Sequence, residues 1–354
     1  MRNTEVYSVS PLLSCEDIAT LERAADIIKS GGLVIFPTET VYGLGADGTN
    51  PKAARSIFEA KGRPADNPLI IHIHTPEQAE KYTYTTETYY NIAKHFMPGP
   101  ITVVLEARGT VPSETRGGLE TVAVRCPEHP IANKLIELSG VPIAAPSANL
   151  SGSPSPTTCS HCIKDMMGRV DMIIDGGDCD FGLESTIIKL EEEGRVTLLR
   201  PGKITVEELR SIGLSVDIAE AVTAQLKEGE VALSPGMKYR HYAPDAPLYL
   251  VDGDMNHLVD YLTAISCGRV AVISYTEDME ALGNSLPDAC LYDFGSREDR
   301  ACQAHRLFEL LRRIDGEGFD NIFAPLPDKS GIGLALYNRM IRAAAHQIIK
   351  FDGE

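Results

Sequence analysis

Lys61-Gly62-Arg63-Pro64, answered further on by Ser147-Ala148-Asn149, is the pattern from which this chain is read. Two cations and two short polar side chains in glycine- and proline-punctuated loops are what a triphosphate pocket needs. Arg63 can fork onto phosphate oxygens, Lys61 can act as a mobile point charge, and Gly62 would let the backbone approach closely. Ser147 and Asn149 add neutral hydrogen bonds without more like charge. Alone, a Lys-x-Arg triplet is a weak signal, and its ordinary reading is a solvated loop.

The surrounding pattern is that of a mixed α/β domain. Apolar residues at Ile18, Leu21, Ala24, Ala25 and Ile28 predict a helix over 17–30, with Asp17 or Glu16 near its start and Gly31-Gly32 at its stop. Val34-Ile35-Phe36 reads as a buried strand running into a loop that carries Thr38, Glu39, Thr40 and Tyr42. Asn50-Pro51 opens a helix over 51–60. Strands are expected at 69–73, 102–105, 121–125, 142–144, 172–174 and 185–190, with helices at 88–96, 132–139 and 159–167. The polar residues then fall on loops between buried strands, the usual place for a ligand. The pattern weakens from Arg210 to Gly229, and Ser234–Pro244 has no regular period. Beyond it, strands at 248–251, 270–274 and 321–324 alternate with helices at 256–265, 299–314 and 334–348, which predicts a small Rossmann-like sheet.

Composition bounds the function. The chain has 354 residues and favours two domains. It is 43% hydrophobic and 23% charged, as an ordinary globular protein is. No apolar run is long enough to span a membrane, and the first residues lack the apolar core of a signal peptide, so the cytoplasm is the expected compartment. The eight cysteines do not make a disulfide framework. A net charge of −17 argues against a broad nucleic-acid face, because phosphate contacts dominate such binding. It leaves room for a small anion, since surface charge is screened beyond about 8–10 Å.

Taken in order, Gly32–Gly45, Lys61–Pro64, Asn67-Pro68-Leu69, Pro98-Gly99-Pro100, Val122–Arg125, Ala145–Asn149, Glu184-Ser185-Thr186 and Leu199–Gly202 resemble the YrdC/Sua5 family, the L-threonylcarbamoyladenylate synthases of tRNA modification. The resemblance covers about residues 15–205, and Ser234–Pro244 is similar to the linker of the two-domain Sua5 form. It implies a YrdC-like mixed twisted sheet over 1–209, a linker over 210–244 and a Rossmann-like Sua5 domain over 245–354. It implies three substrates, ATP (with Mg2+ as its complex), L-threonine and bicarbonate or CO2, and a product, threonylcarbamoyl-AMP, passed to a tRNA threonylcarbamoyl transferase for t6A at position 37 of tRNAs reading ANN codons. The positions matching the ATP site are Lys61, Arg63, Asn67, Ser147, Asn149, Ser155, Arg200 and Tyr239, with Lys61, Arg63, Ser147 and Asn149 in the catalytic role. Those matching the threonine site are Thr40, His72, Thr121, Arg125, Ala145 and Ser185. Arg125 is the guanidinium expected to take the amino acid's carboxylate. No protein side chain is expected to hold a metal.

Two other functions remain in view. A carbamoyl transferase of the hydrogenase-maturation type carries a related domain, but joined to zinc-finger and acylphosphatase segments not seen here. A double-stranded RNA or tRNA-binding module is disfavoured by the acidic balance, leaving at most weak tRNA binding. Cys159-x-x-Cys162 is expected to be structural, since only Cys179 lies near it in sequence and a closed four-ligand site is hard to build. Gly331-Ile332-Gly333 is expected to serve tight strand-to-helix packing. The linker, with Met237, Tyr239, His241 and Tyr242 beside Lys238 and Arg240, is expected to act as a lid, because rings left in water forfeit their burial; the alternative is that the rings simply join the two domains.

Overall fold

A computed structural model describes residues 2–65, 67–225, 242–264 and 268–351, which form two compact units. Ser234–His241, and with them most of the expected lid and the ATP-site candidate Tyr239, lie outside the described residues.

The first unit runs β1 (Glu5–Ser8), α1 (Cys15–Lys29), β2 (Val34–Phe36), β3 (Gly43–Asp47), α2 (Pro51–Lys61), β4 (Ile70–His72), α3 (Glu87–Phe96), β5 (Ile101–Glu106), α4 (Ser113–Arg116), β6 (Thr121–Arg125), α5 (Pro130–Ser139), β7 (Ile143–Ala144), α6 (Cys159–Met166), β8 (Met172–Asp175), β9 (Thr186–Glu192), β10 (Arg195–Arg200), α7 (Val206–Ser211) and β11 (Ser215–Ile218). Its strands make one mixed sheet in the order β1-β8-β2-β3-β7-β4-β6-β5-β9-β10-β11. The pairing β4–β6 is parallel, while β7 and β5 flank that pair antiparallel. That arrangement sets His72 beside Arg125, and Arg125 beside Thr102 of β5.

The local reasons are legible. Helix α1 buries Leu21, Ala24, Ala25 and Ile28, a single face at helical spacing, against α5 and the strands Val34, Phe36, Met172 and Ile174. It starts two residues earlier than expected, with a capping box: the Ser14 hydroxyl accepts from the Asp17 amide at 3.2 Å, and the Asp17 carboxylate accepts from the Ser14 amide at 2.8 Å. The stretch from Arg210, expected as connector, instead still belongs to the first sheet: β11 pairs parallel with β10. Its alternation is polar on one face, a weak signal for a strand at the sheet edge.

The second unit comprises Gly152–Pro154 and the described residues from Tyr242 onward. It runs β12 (Leu248–Asp252), α8 (Met255–Ala264), β13 (Val270–Ser274), α9 (Met279–Ser285), β14 (Cys290–Asp293), α10 (Arg300–Asp315), β15 (Asn321–Pro325), α11 (Ile332–Ala343) and β16 (Ile348–Lys350). All its pairings are parallel, in the order β14-β13-β15-β12-β16, which is the Rossmann-like sheet expected. The helix expected over 334–348 stops at Ala343, because Ala345 and His346 adopt positive φ and turn the chain into β16. A Cβ on Gly333 would collide with the Asp328 carboxylate, so close packing requires that glycine, whereas Gly331 has open space around it and is required by its positive φ of +49°. Tyr242 stacks on Phe308 at 5.0 Å between centroids, so this ring of the expected lid is used inside the second unit.

Replacing Ser14 with Ala removes one half of the α1 capping box. Urea denaturation should show a loss of about 1 kcal/mol, with the m-value unchanged.

Candidate active site

Two groups of polar residues gather at the loops of the first sheet. The first forms around Arg125, at the end of β6 and 4% exposed. Its Nη2 donates to Glu39 Oε1 at 2.6 Å and to Thr40 Oγ1 at 3.0 Å. The loop carrying those partners is fixed by main-chain bonds from Phe181 to the Glu39 carbonyl and from Gly182 to the Thr40 carbonyl. Thr38 completes it, its hydroxyl donating to the Val41 carbonyl at 2.6 Å. His72, next to Arg125 across the β4–β6 ladder, is buried edge-on to Phe36, with Nδ1 3.2 Å from the Ile143 carbonyl. Burial first, then the neighbouring guanidinium, pushes the His72 pKa down to about 3, so the ring is neutral at pH 7.

Ser185 joins the same group. Its hydroxyl lies 2.8 Å from Thr102 Oγ1, and Arg200 clamps the residue with Nε on its carbonyl and Nη2 on its hydroxyl, both at 3.0 Å. The Arg200-Pro201-Gly202 turn closes on this point: a Cβ on Gly202 would lie 2.5 Å from the Thr186 amide, so only glycine fits. Ser155 donates to Glu184 Oε1 at 2.5 Å, just before Ser185. Ala145 lies beside Gly43, its amide bonded to the Ile70 carbonyl.

The second group is built on the end of α2. Lys61 is 3% exposed, and its ammonium donates to the Ser147 carbonyl, to the Asn149 carbonyl at 2.6 Å and to Asn149 Oδ1 at 3.3 Å. Expected as a mobile point charge, Lys61 is instead the post on which the 147–149 loop rests, because an ammonium has three donors and this loop offers three oxygens. Ser147 in turn donates to Asn149 Oδ1 at 2.5 Å, and Asn149 Nδ2 to the Leu150 carbonyl at 2.7 Å. Gly62 closes α2 at φ +62°, with nothing within 4 Å of where a Cβ would stand. The left-handed turn itself calls for glycine here. That turn aims Arg63, which is nine-tenths buried, its guanidinium 5.9 Å from the Phe58 ring. Arg63 also lines a surface pocket with Arg55, Phe58, Glu59 and Pro64. Asn67 is fully buried, and neither of its side-chain polar atoms has a hydrogen-bond partner among the described residues.

One expected threonine-site residue does not join its group. Thr121 begins β6 and Arg125 ends it, so about 13 Å of extended strand separates them. Thr121 stands at the end of the ladder fed by Asn67–Leu69. Glu39 is the residue that sequence reasoning passed over, although it lies in the quoted Thr38-Glu39-Thr40 stretch. The thiols take no part: Cys159, Cys162 and Cys179 are buried, and burial pushes the Cys159 pKa up to about 11. Among the described residues, no cluster of His, Cys, Asp and Glu is arranged for a metal.

Residues 26–202 match the family model described as "Telomere recombination", which groups Sua5, YciO and YrdC, and residues 204–345 match "Threonylcarbamoyl-AMP synthase, C-terminal domain". The threonylcarbamoyl-AMP synthase of Pyrococcus abyssi is 45% identical over 332 residues, 92% of this chain and 94% of that protein. That of Bacillus subtilis is 40% identical over 334 residues, 93% and 94% respectively. The crystal structure of P. abyssi Sua5 complexed with L-threonine superposes with a TM-score of 0.88 at 42% identity, covering 98% of this chain and 99% of that one. The chain belongs to the Sua5/YrdC family, in its two-domain form.

The site yields two predictions. Lys61→Ala leaves three oxygens without their cation and should cost on the order of 3 kcal/mol in chemical denaturation. It should also abolish turnover, as should Arg63→Ala, which should cost about 1 kcal/mol of stability by truncating a buried stem. For His72, the neutral ring is favoured in the folded state. Its contribution to stability is therefore complete above the unfolded pKa of about 6.5 and is lost as pH falls from there toward about 3. Over that window His72→Gln should flatten the pH dependence of the unfolding free energy by about 1.4 kcal/mol per pH unit.

Proposed function

We propose that this member of the Sua5/YrdC family condenses L-threonine, ATP and bicarbonate-derived CO2 into threonylcarbamoyl-AMP and pyrophosphate. The observation that carries the reading is the buried Arg125 at a strand end, beside neutral His72 and the hydroxyls of Thr40 and Ser185, in a fold whose relative was solved with L-threonine. A guanidinium takes the carboxylate, and the two hydroxyls and the imidazole shape a small polar pocket for the side chain and amine. The match of residues 204–345 to the synthase's own C-terminal domain favours this activity over a hydrogenase-maturation carbamoyl transferase.

The chemistry needs no protein nucleophile. Threonine's nitrogen bonds the carbon of CO2 and loses a proton, giving a carbamate. A carbamate oxygen then attacks the α-phosphorus of ATP, the bond to the β-phosphate oxygen breaks, and pyrophosphate leaves. The side chains supply position and charge, and the buried site keeps water from the mixed anhydride. Arg63, with Asn67, takes the phosphates, and the 147–149 loop on its lysine post lines their path; Ser155 and Arg200 complete the nucleotide side. Mg2+ enters as the ATP complex, not on protein carboxylates. The product feeds a tRNA threonylcarbamoyl transferase that makes t6A, and the reaction belongs to the cytoplasm. No helix among the described residues is long and apolar enough to cross a membrane.

Pyrophosphate release should require ATP, bicarbonate and threonine together. Threonine should exceed serine by about 10–200-fold, the reach of one methyl group, and valine should fare worse because the pocket's hydroxyl partners are left bare. Equal release with threonine and valine would exclude a pocket that reads the side-chain hydroxyl.

A further inference from the structure

Glu39 has so far served only as the partner of Arg125, yet that pairing uses half of each group. The carboxylate is 6% exposed and gives Oε1 to Arg125 Nη2, while Oε2 has no hydrogen-bond partner among the described residues. On the other side, Arg125 Nε is likewise buried without a partner. Two well-aligned groups of opposite charge would ordinarily meet as a two-bond fork. Here they meet by one corner, with a bare anionic acceptor left beside a bare cationic donor.

Leaving both unsatisfied is costly in a buried place. The backbone holds the arrangement: amides from the 181–182 segment fix the Glu39 and Thr40 carbonyls, and Thr40 Oγ1 takes a second Arg125 donor. A cation and an anion side by side, each with one site open, are complementary to an α-amino acid zwitterion. The carboxylate goes to the guanidinium and the ammonium to the carboxylate.

We infer that Glu39, through Oε2, is the receptor for the amino acid's nitrogen and the base that deprotonates it; this rests on the synthase reading given above. Threonine enters as its ammonium, and Glu39 takes one proton and passes it to water. The freed lone pair bonds the carbon of CO2, and a C–O π pair moves to oxygen. The second N–H proton goes to the same Oε2, leaving a neutral carbamate nitrogen, and returns to water when the product departs. Glu39 therefore selects for a free amine, as Arg125 selects for a free carboxylate.

The test uses the full chain with Glu39→Gln and Glu39→Asp, and two ligands: L-threonine and 2,3-dihydroxybutanoate of matching configuration, in which a hydroxyl replaces the ammonium. Calorimetry should show threonine affinity falling about 30-fold in Glu39→Gln while the dihydroxy acid changes little, since only the former loses a charge-assisted bond. Pyrophosphate release at saturating threonine should fall by about 100-fold or more, the reach of a general base. Equal weakening of both ligands would show that Glu39 merely props Arg125 and would overturn the inference, as would wild-type turnover in Glu39→Gln. Should Glu39→Gln lose the wild-type circular dichroism spectrum, Glu39→Asp gives the same ratio, because its withdrawn carboxylate should weaken threonine selectively. If the wild-type chain releases no pyrophosphate with threonine, the synthase reading falls, while the two-ligand comparison still decides for or against Glu39 as amine receptor.

Discussion

The buried ion pair between Arg125 and Glu39 is the interaction on which the first unit's site depends. Burying two charges costs several kcal/mol apiece, and their attraction repays that only with good geometry and full hydrogen bonding. This pair lacks the full hydrogen bonding. It ties the end of β6 to the β2–β3 loop, and that loop in turn to the 181–185 segment that carries Ser185. Stability alone would favour an apolar contact here.

The sheet makes this possible by register. Parallel β4 and β6 bring His72 level with Arg125, and antiparallel β5 brings Thr102 to the other side, from where Ser185 and Arg200 are reached. Apart from the Thr38-Glu39-Thr40 run and the adjacent Glu184 and Ser185, the group's residues come from distant parts of the chain. Shifting any one strand by a single residue would turn its side chain to the opposite face. The charges therefore converge because of hydrogen-bond ladders that themselves contain ordinary valine and isoleucine.

Much of the architecture was legible because its signals are local. Thr121–Arg125 is a β-branched run and forms β6 over those residues; Val270–Ser274 behaves the same way in the second unit. Gly43–Asp47 was not legible as a strand, since Gly-Leu-Gly-Ala-Asp has little intrinsic preference for one. It is a strand because β2 and β7 flank it, and a Cβ on Gly45 would lie 2.7 Å from the Phe36 ring and from Ile143. In the site, residue types were readable and roles were less so. Lys61 looked like a ligand contact because its distant partners at 147 and 149 are backbone carbonyls, which no side-chain pattern announces. Thr121 was grouped with Arg125 by resemblance, and strand length separates them. Glu39 was hidden because its guanidinium partner, Arg125, stands 86 positions away along the chain.

The lysine post beneath the 147–149 loop also bears on which substitutions the chain can absorb. Its three acceptors converge on one nitrogen, two carbonyls and an amide oxygen around a single tetrahedral centre. Arginine keeps the charge but spreads its donors over a flat fork on a longer stem, and cannot place three of them on that point. The exchange usually counted as the mildest for a lysine is thus closed at this position. Drift at residue 61 is constrained by the shape of the cation as much as by its sign.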